Sequence, residues 1–121
     1  MTPEMDVAMA IGMARASGEL APWPGRDDWA CWADAWAAGE RDEVATLRAA
    51  DVAFGGFRAA ARLSDPGVAA AALAALTATW AAHRLGSAHP ERARALAHDA
   101  RAWADVIFDV VIFDMRGMRD D

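Results

Sequence analysis

Apolar side chains along this chain recur at helical spacing. Trp29, Trp32 and Trp36 stand at i, i+3 and i+7, so on a helix their rings project from one stripe. Met5, Met9 and Met13 form a second stripe at i, i+4 and i+8. Both stripes are expected in the core. Each tryptophan can bury about 200 Å², and methionine fills irregular gaps between smaller neighbours. The other reading of the tryptophans is an aromatic platform for a partner. In "FGGF", Phe54 and Phe57 are expected to face inward with Leu47, Ala50 and Ala61. The adjacent Gly55 and Gly56 weaken a helix there, so they mark a kink, a close helix crossing or a ligand slot.

The punctuation between these stripes is helical throughout. Thr2 is placed to cap a first helix, with Pro3 at its first position, Glu4 near its positive end and Gly18 as its stop. "GELAPWPGR" then reads as a loop holding Trp23 between two prolines. Asp27 and Asp28 open a second helix that Gly39 ends, and Asp42 caps a third running to about Leu63. In "SDPG", Asp65 caps a fourth helix that begins at Pro66 and continues to Gly86. Pro90 and Glu91 open a fifth, directed toward Gly117. Short connections without hairpin signals predict one all-α domain over residues 1–121, a compact antiparallel bundle of about five helices.

One segment competes with that reading. "DVIFDVVIFD" (Asp105 to Asp114) is rich in β-branched and aromatic residues, which favour strands. The helical reading is preferred, because Arg94, His98, Arg101, Asp105, Asp109 and Arg116 then share one polar stripe. A helix so apolar from Ala102 to Met115 must be covered on most sides. It is expected either at the centre of the bundle or paired with a second copy.

Charge narrows the choice of partners. The chain carries a net −6, with arginine as its only strongly basic residue and no Lys, Asn, Gln or Tyr. Alanine fills about a quarter of the positions, the mark of a GC-rich genome as much as of design. An acidic chain is a poor ligand for nucleic acid or an anionic membrane. Val68 to Ala82, the most apolar uncharged run, is shorter than the ~20 residues of a bilayer span. The start lacks a basic n-region followed by an apolar stretch, so no signal peptide is expected. Cys31 is the only cysteine and reads as a buried, inert thiol, which fits a reducing cytoplasm. Seven acidic residues lie between Asp27 and Asp51, opposed there only by Arg41 and Arg48. Carboxylates around an aromatic helix suit a basic protein surface. Asp34, Glu40, Asp42 and Glu43 are therefore the candidate partner-binding residues, with Trp23 as the candidate exposed aromatic.

Catalytic and metal chemistry find no diagnostic motif. The Glu-x-x-His pairs of bundle metal sites are absent, and arginines share the His98–Asp105 stripe. "FGGF" lacks the lysine of a phosphate loop, and Cys31 has no histidine near it in sequence. His83, His89 and His98, with Arg84, Arg92 and Arg94, fall near one helix hairpin and could hold an anion. No catalytic residue, metal or cofactor is expected, and the protein reads as a binder.

"AWAAGE" followed by "LRAADVAFGGFRAAARLSDPGVAAAALAALTATWAAH" (within Ala35 to His83) resembles a family of small all-helical immunity proteins of bacterial toxin systems. The shared rhythm is a tryptophan helix ending in Gly-Glu, an Ala/Arg helix, an Asp-Pro turn and an Ala-rich helix ending near His. The resemblance implies a stoichiometric neutraliser of a toxin, defence nuclease or other effector. It carries over no functional residue. The alternatives are a helical small-molecule or cofactor binder, using the "FGGF" slot and the tryptophans, and a homodimeric structural protein.

Overall fold

The computed structural model describes residues 2–119, with side chains described for residues 2–109. The side chain of Arg116 and those of residues 110–115 in the apolar stretch lie outside that range. The chain forms helices α1 (Pro3–Leu20), α2 (Arg26–Ala37), α3 (Glu43–Arg62), α4 (Pro66–Leu85) and α5 (Ala93–Arg119), with a 3₁₀ turn at Pro90–Arg92 before the last. Among the described residues there is no strand. The disputed 105–114 stretch is helical, and within it Ile107 joins the buried face of α5.

The expected caps form. Thr2 Oγ1 accepts the Met5 N–H at 3.2 Å, Asp42 Oδ1 accepts that of Val44 at 3.0 Å, and Asp65 Oδ1 accepts that of Val68 at 3.1 Å. At the end of α2, Gly39 takes a φ of 102°, its N–H bonding the Trp36 carbonyl while that of Glu40 bonds the Ala35 carbonyl. Ser64, at a φ of 55°, closes α3 by the same pair of bonds without a glycine. Three boundaries differ from expectation, one of them the start of α5, which lies at Ala93 after the 3₁₀ turn that Pro90 and Glu91 open. Helix α1 passes through Gly18 to Leu20. Gly18 is a contact residue, where a Cβ would sit 3.3 Å from both Trp23 Nε1 and Arg26 Cγ. Helix α2 begins at Arg26 on Gly25, with Asp27 and Asp28 in its first turn.

The centre of the bundle belongs to α4, not to α5. Helix α4 packs against α1, α3 and α5 and buries Ala70, Ala71, Ala72, Ala74, Ala75, Ala78, Ala81 and Ala82. A helix surrounded by three others must be slim on most sides, and alanine makes it so. By length and composition α4 could also cross a membrane, but half of its apolar window is buried inside the protein, as in a core helix. Helix α5 lays Ala93, Ala97, Ala100, Ala104 and Ile107 on α1 and α4 and leaves Trp103 and Val106 exposed.

Tryptophan supplies the volume that alanine lacks. Trp29 and Trp36 are buried and Trp32 is half-buried, so the stripe on α2 is core. The indole N–H of Trp29 donates to Thr79 Oγ1 on α4 at 2.8 Å, and that of Trp32 donates to Thr46 Oγ1 on α3 at 3.1 Å. Each threonine hydroxyl in turn donates to a carbonyl of its own helix, Thr79 to Ala75 at 2.7 Å and Thr46 to Asp42 at 3.0 Å. The methionine stripe is not core: Met5 and Met9 are exposed and Met13 is partly buried. Helix α1 turns Val7, Ala10, Ile11 and Ala14 inward instead, because smaller side chains suit its close approach to two alanine faces. Cys31 is exposed rather than buried, since it projects from α2 opposite the tryptophan stripe.

"FGGF" is a close crossing, and its occupant comes from this chain. Trp23 is only 3% exposed, against the expectation of a solvent-facing ring. Its six-membered ring lies over Gly56, where a Cβ would collide with Trp23 and sit 2.7 Å from the Pro24 carbonyl oxygen. Seating that ring sets the rotation of α3. Thr46, Ala49, Ala50, Ala53, Gly56 and Ala60 point inward, Phe57 is partly buried, and Leu47, Phe54 and Ala61 are exposed. The indole N–H of Trp23 has no hydrogen-bond partner among the described residues.

The two glycines should therefore respond to alanine with opposite signs. Gly55 faces open space, so Gly55→Ala should stabilise by ~1 kcal/mol through helix propensity. Gly56→Ala should destabilise by ~1–3 kcal/mol by displacing Trp23. Urea unfolding of both variants checks this. Thr79→Val should cost ~1–3 kcal/mol by leaving the Trp29 N–H unsatisfied. Thr77→Val should cost less in the same urea unfolding, since the Thr77 hydroxyl bonds only the Leu73 carbonyl of its own helix.

Candidate functional site

The alternating helix directions bring the start of α1, the α2–α3 connection, the start of α3 and the end of α4 to one end of the bundle. They surround a half-open cleft of about 600 Å³ whose lining includes Glu4, Arg41, Asp42, Glu43, Thr46 and His83. Trp36 also lines it, with the Arg41 guanidinium stacked 3.7 Å from the ring centroid. Arg41 donates to the Trp36 carbonyl at the negative end of α2 and to Glu4 Oε1 at 3.0 Å, tying α2 to α1. Across the cleft, His83 Nδ1 lies 3.8 Å from Glu43 Oε1, and its ring meets that of Trp80 edge-on at 5.5 Å.

The candidate partner-binding residues divide by what already holds them. Asp42 and Glu43 line the cleft, and Glu40 adjoins it in the α2–α3 connection. Asp42 is committed to capping α3. Asp34 stands apart on α2, its Oδ1 2.9 Å from Arg15 Nε and its Oδ2 3.2 Å from Arg15 Nη2. That hydrogen bond and the Asp34 charge raise the Arg15 pKa above that of a free arginine. Glu40 and Glu43 keep their carboxylates exposed. Trp23, buried against Gly56, cannot offer its ring to a partner.

Glu4 and Arg41 belong to the cleft although neither was a candidate partner-binding residue, and His83 lines it rather than an anion-holding hairpin. Glu4 was legible only as a helix-dipole residue. Its place in the cleft follows once the bundle alternates direction and the start of α1 meets the end of α2. Three members of the basic hairpin expected to hold an anion face carboxylates instead: His83 faces Glu43, His89 lies 3.3 Å from Glu91, and Arg94 lies 3.2 Å from the largely buried Asp6. Among the described residues, no group of three or more His, Cys, Asp or Glu side chains could hold a metal ion. No family model matches the chain, and no curated protein or solved structure is detectably similar to it.

The division of labour among the carboxylates is measurable without a partner. Asp42→Ala should lower stability by ~1 kcal/mol through loss of the α3 cap. Glu40→Ala should change stability by less than about 0.5 kcal/mol, as an exposed substitution without a cap or core role. Chemical unfolding of the two single variants compares them directly.

Proposed function

We propose that the protein is a non-enzymatic binding protein that neutralises a basic protein effector by stoichiometric contact through its acidic end. The observation that carries this reading is the pair Glu40 and Glu43. Both carboxylates are exposed beside a cleft whose other acids, Glu4 and Asp42, are engaged with Arg41 and the α3 backbone. Negative charge displayed on a rigid helix end steers a basic partner and raises its association rate. The net charge of −6 adds to that field. The resemblance of Ala35 to His83 to immunity proteins supports a toxin or defence nuclease as the effector. A second reading, a small-molecule binder, is favoured by the cleft itself, whose volume of about 600 Å³ is that of a ligand pocket.

Affinity capture from the source cell, followed by mass spectrometry, tests the two readings together. A basic protein should be retained in one-to-one ratio and released as salt rises, because exposed charges are screened over ~10 Å at 0.1 M salt. Glu40→Arg with Glu43→Arg should weaken binding at least about 10-fold, or ~1.4 kcal/mol, with the circular dichroism unchanged. Retention that ignores both salt and the double reversal would refute the acidic-surface reading. A retained small molecule with no protein partner would favour the ligand-binding bundle.

A further inference from the structure

Helix α4 carries no charged side chain from Pro66 to Ala82, yet one strip of it is left uncovered. Ala69, Leu73, Leu76 and Thr77 are partly buried, and Trp80 and Arg84 are exposed. These positions fall at i, i+4, i+7, i+8, i+11 and i+15, a single stripe. A helix apolar on every side is ordinarily covered on every side.

The flanking helices widen the strip. Glu43 reaches His83, which sets the Glu43 row of α3 alongside α4. Leu47 and Phe54 continue that row, 39% and 49% exposed. On α5, Arg94 reaches Asp6 of α1, and Trp103 lies nine residues further on, two and a half turns at ~3.6 residues per turn. Trp103 therefore occupies the flank opposite α1. Because α5 packs on both α1 and α4, that flank borders the outer side of α4, and Val106 extends it.

We propose that this outer face of α3, α4 and α5 is the interface of a two-fold homodimer, with α4 antiparallel to α4 of a second copy. Charge selects a second copy as the occupant. Along its outer side α4 presents Asp65 at its start and Arg84 at its end, both exposed, with nothing charged between. An antiparallel pairing centred between Leu73 and Thr77 sets Arg84 of each copy beside Asp65 of the other and opposes the two helix dipoles. Along α4 the same contact thus makes two ion pairs. Area agrees. A 20-residue helix is ~30 Å long, and with its flanks it offers roughly 600–900 Å² per copy, near the ~800 Å² of a standard interface. This face borders the cleft at His83, which Trp80 meets edge-on, but it includes neither Glu40 nor Glu43, so loss of the dimer and loss of the proposed effector binding are read by different variants.

Sedimentation velocity on the full chain alone, from about 5 to about 500 μM, tests it. The mass should double across that range, and Thr77→Arg, at the centre of the contact, should weaken association at least about 10-fold with the helical spectrum retained. A cysteine pair settles the geometry even if Thr77→Arg fails to fold. In a Cys31→Ser background, a short bis-maleimide should crosslink Thr77→Cys into a covalent dimer, because an antiparallel register sets the two copies of position 77 within ~10 Å, and Ala8→Cys on α1 should not be crosslinked. A monomer at every concentration would overturn the proposal. So would a dimer that Thr77→Arg leaves unchanged, or equal crosslinking at positions 8 and 77.

Discussion

The hydrogen bond from the indole of Trp29 to the hydroxyl of Thr79 is the contact around which this bundle is organised. An alanine helix at the centre lets three neighbours approach closely, but alanine buries little area and sets no register of its own. Hydrophobic burial is non-directional. The buried N–H of Trp29 is directional, because leaving it unpaired is costly. It therefore fixes how far along α4 the tryptophan helix sits. Trp32 repeats the device on α3 through Thr46. Both threonines stay within the helical bonding of their own backbones, so the polar pairs enter the interior without orphaned hydroxyls.

A second constraint acts on α3. Trp23, brought in by the loop between its prolines, needs a site without a Cβ, and Gly56 provides it. Once that ring is seated, the rotation of α3 is settled. The same rotation that buries Ala53 and Gly56 turns Leu47 and Phe54 outward beside the uncovered strip of α4. Core geometry and surface apolarity thus have one cause. The outer face of α3, α4 and α5 is what remains when the inner faces have been used for the tryptophans.

At the acidic end, structural demand and partner recognition draw on the same residue type. Asp42 caps a helix, Glu4 anchors Arg41, and Asp34 holds Arg15. These carboxylates are already partnered, so their fields are partly spent within the molecule. Glu40 and Glu43 stand where two helices begin or end and where the chain has turned outward, and Glu43, although it faces His83 at 3.8 Å, keeps most of its side chain exposed. The proposed binding function rests on that remainder rather than on the total acidity of the chain.

Helix number, helix direction and capping were legible in the sequence because they follow from local chemistry. Thr2, Asp42 and Asp65 accept N–H groups within a few residues of themselves, and Gly39 and Ser64 close their helices through bonds to the preceding turn. The tryptophan stripe was legible as well, since its spacing leaves one face for three large rings. Which face of α1 and α3 turns inward was not. Met5, Met9 and Phe54 are the bulkier apolar residues, yet the close approach of alanine helices favours Val7, Ala10 and Ala53 at the contact. Nor did sequence reveal the fate of Trp23, because its site is a missing Cβ on a helix 33 positions away. Local bonds determine where helices start and stop. Shape complementarity between distant segments, which only the folded chain brings together, decides how each is rotated and what it leaves exposed.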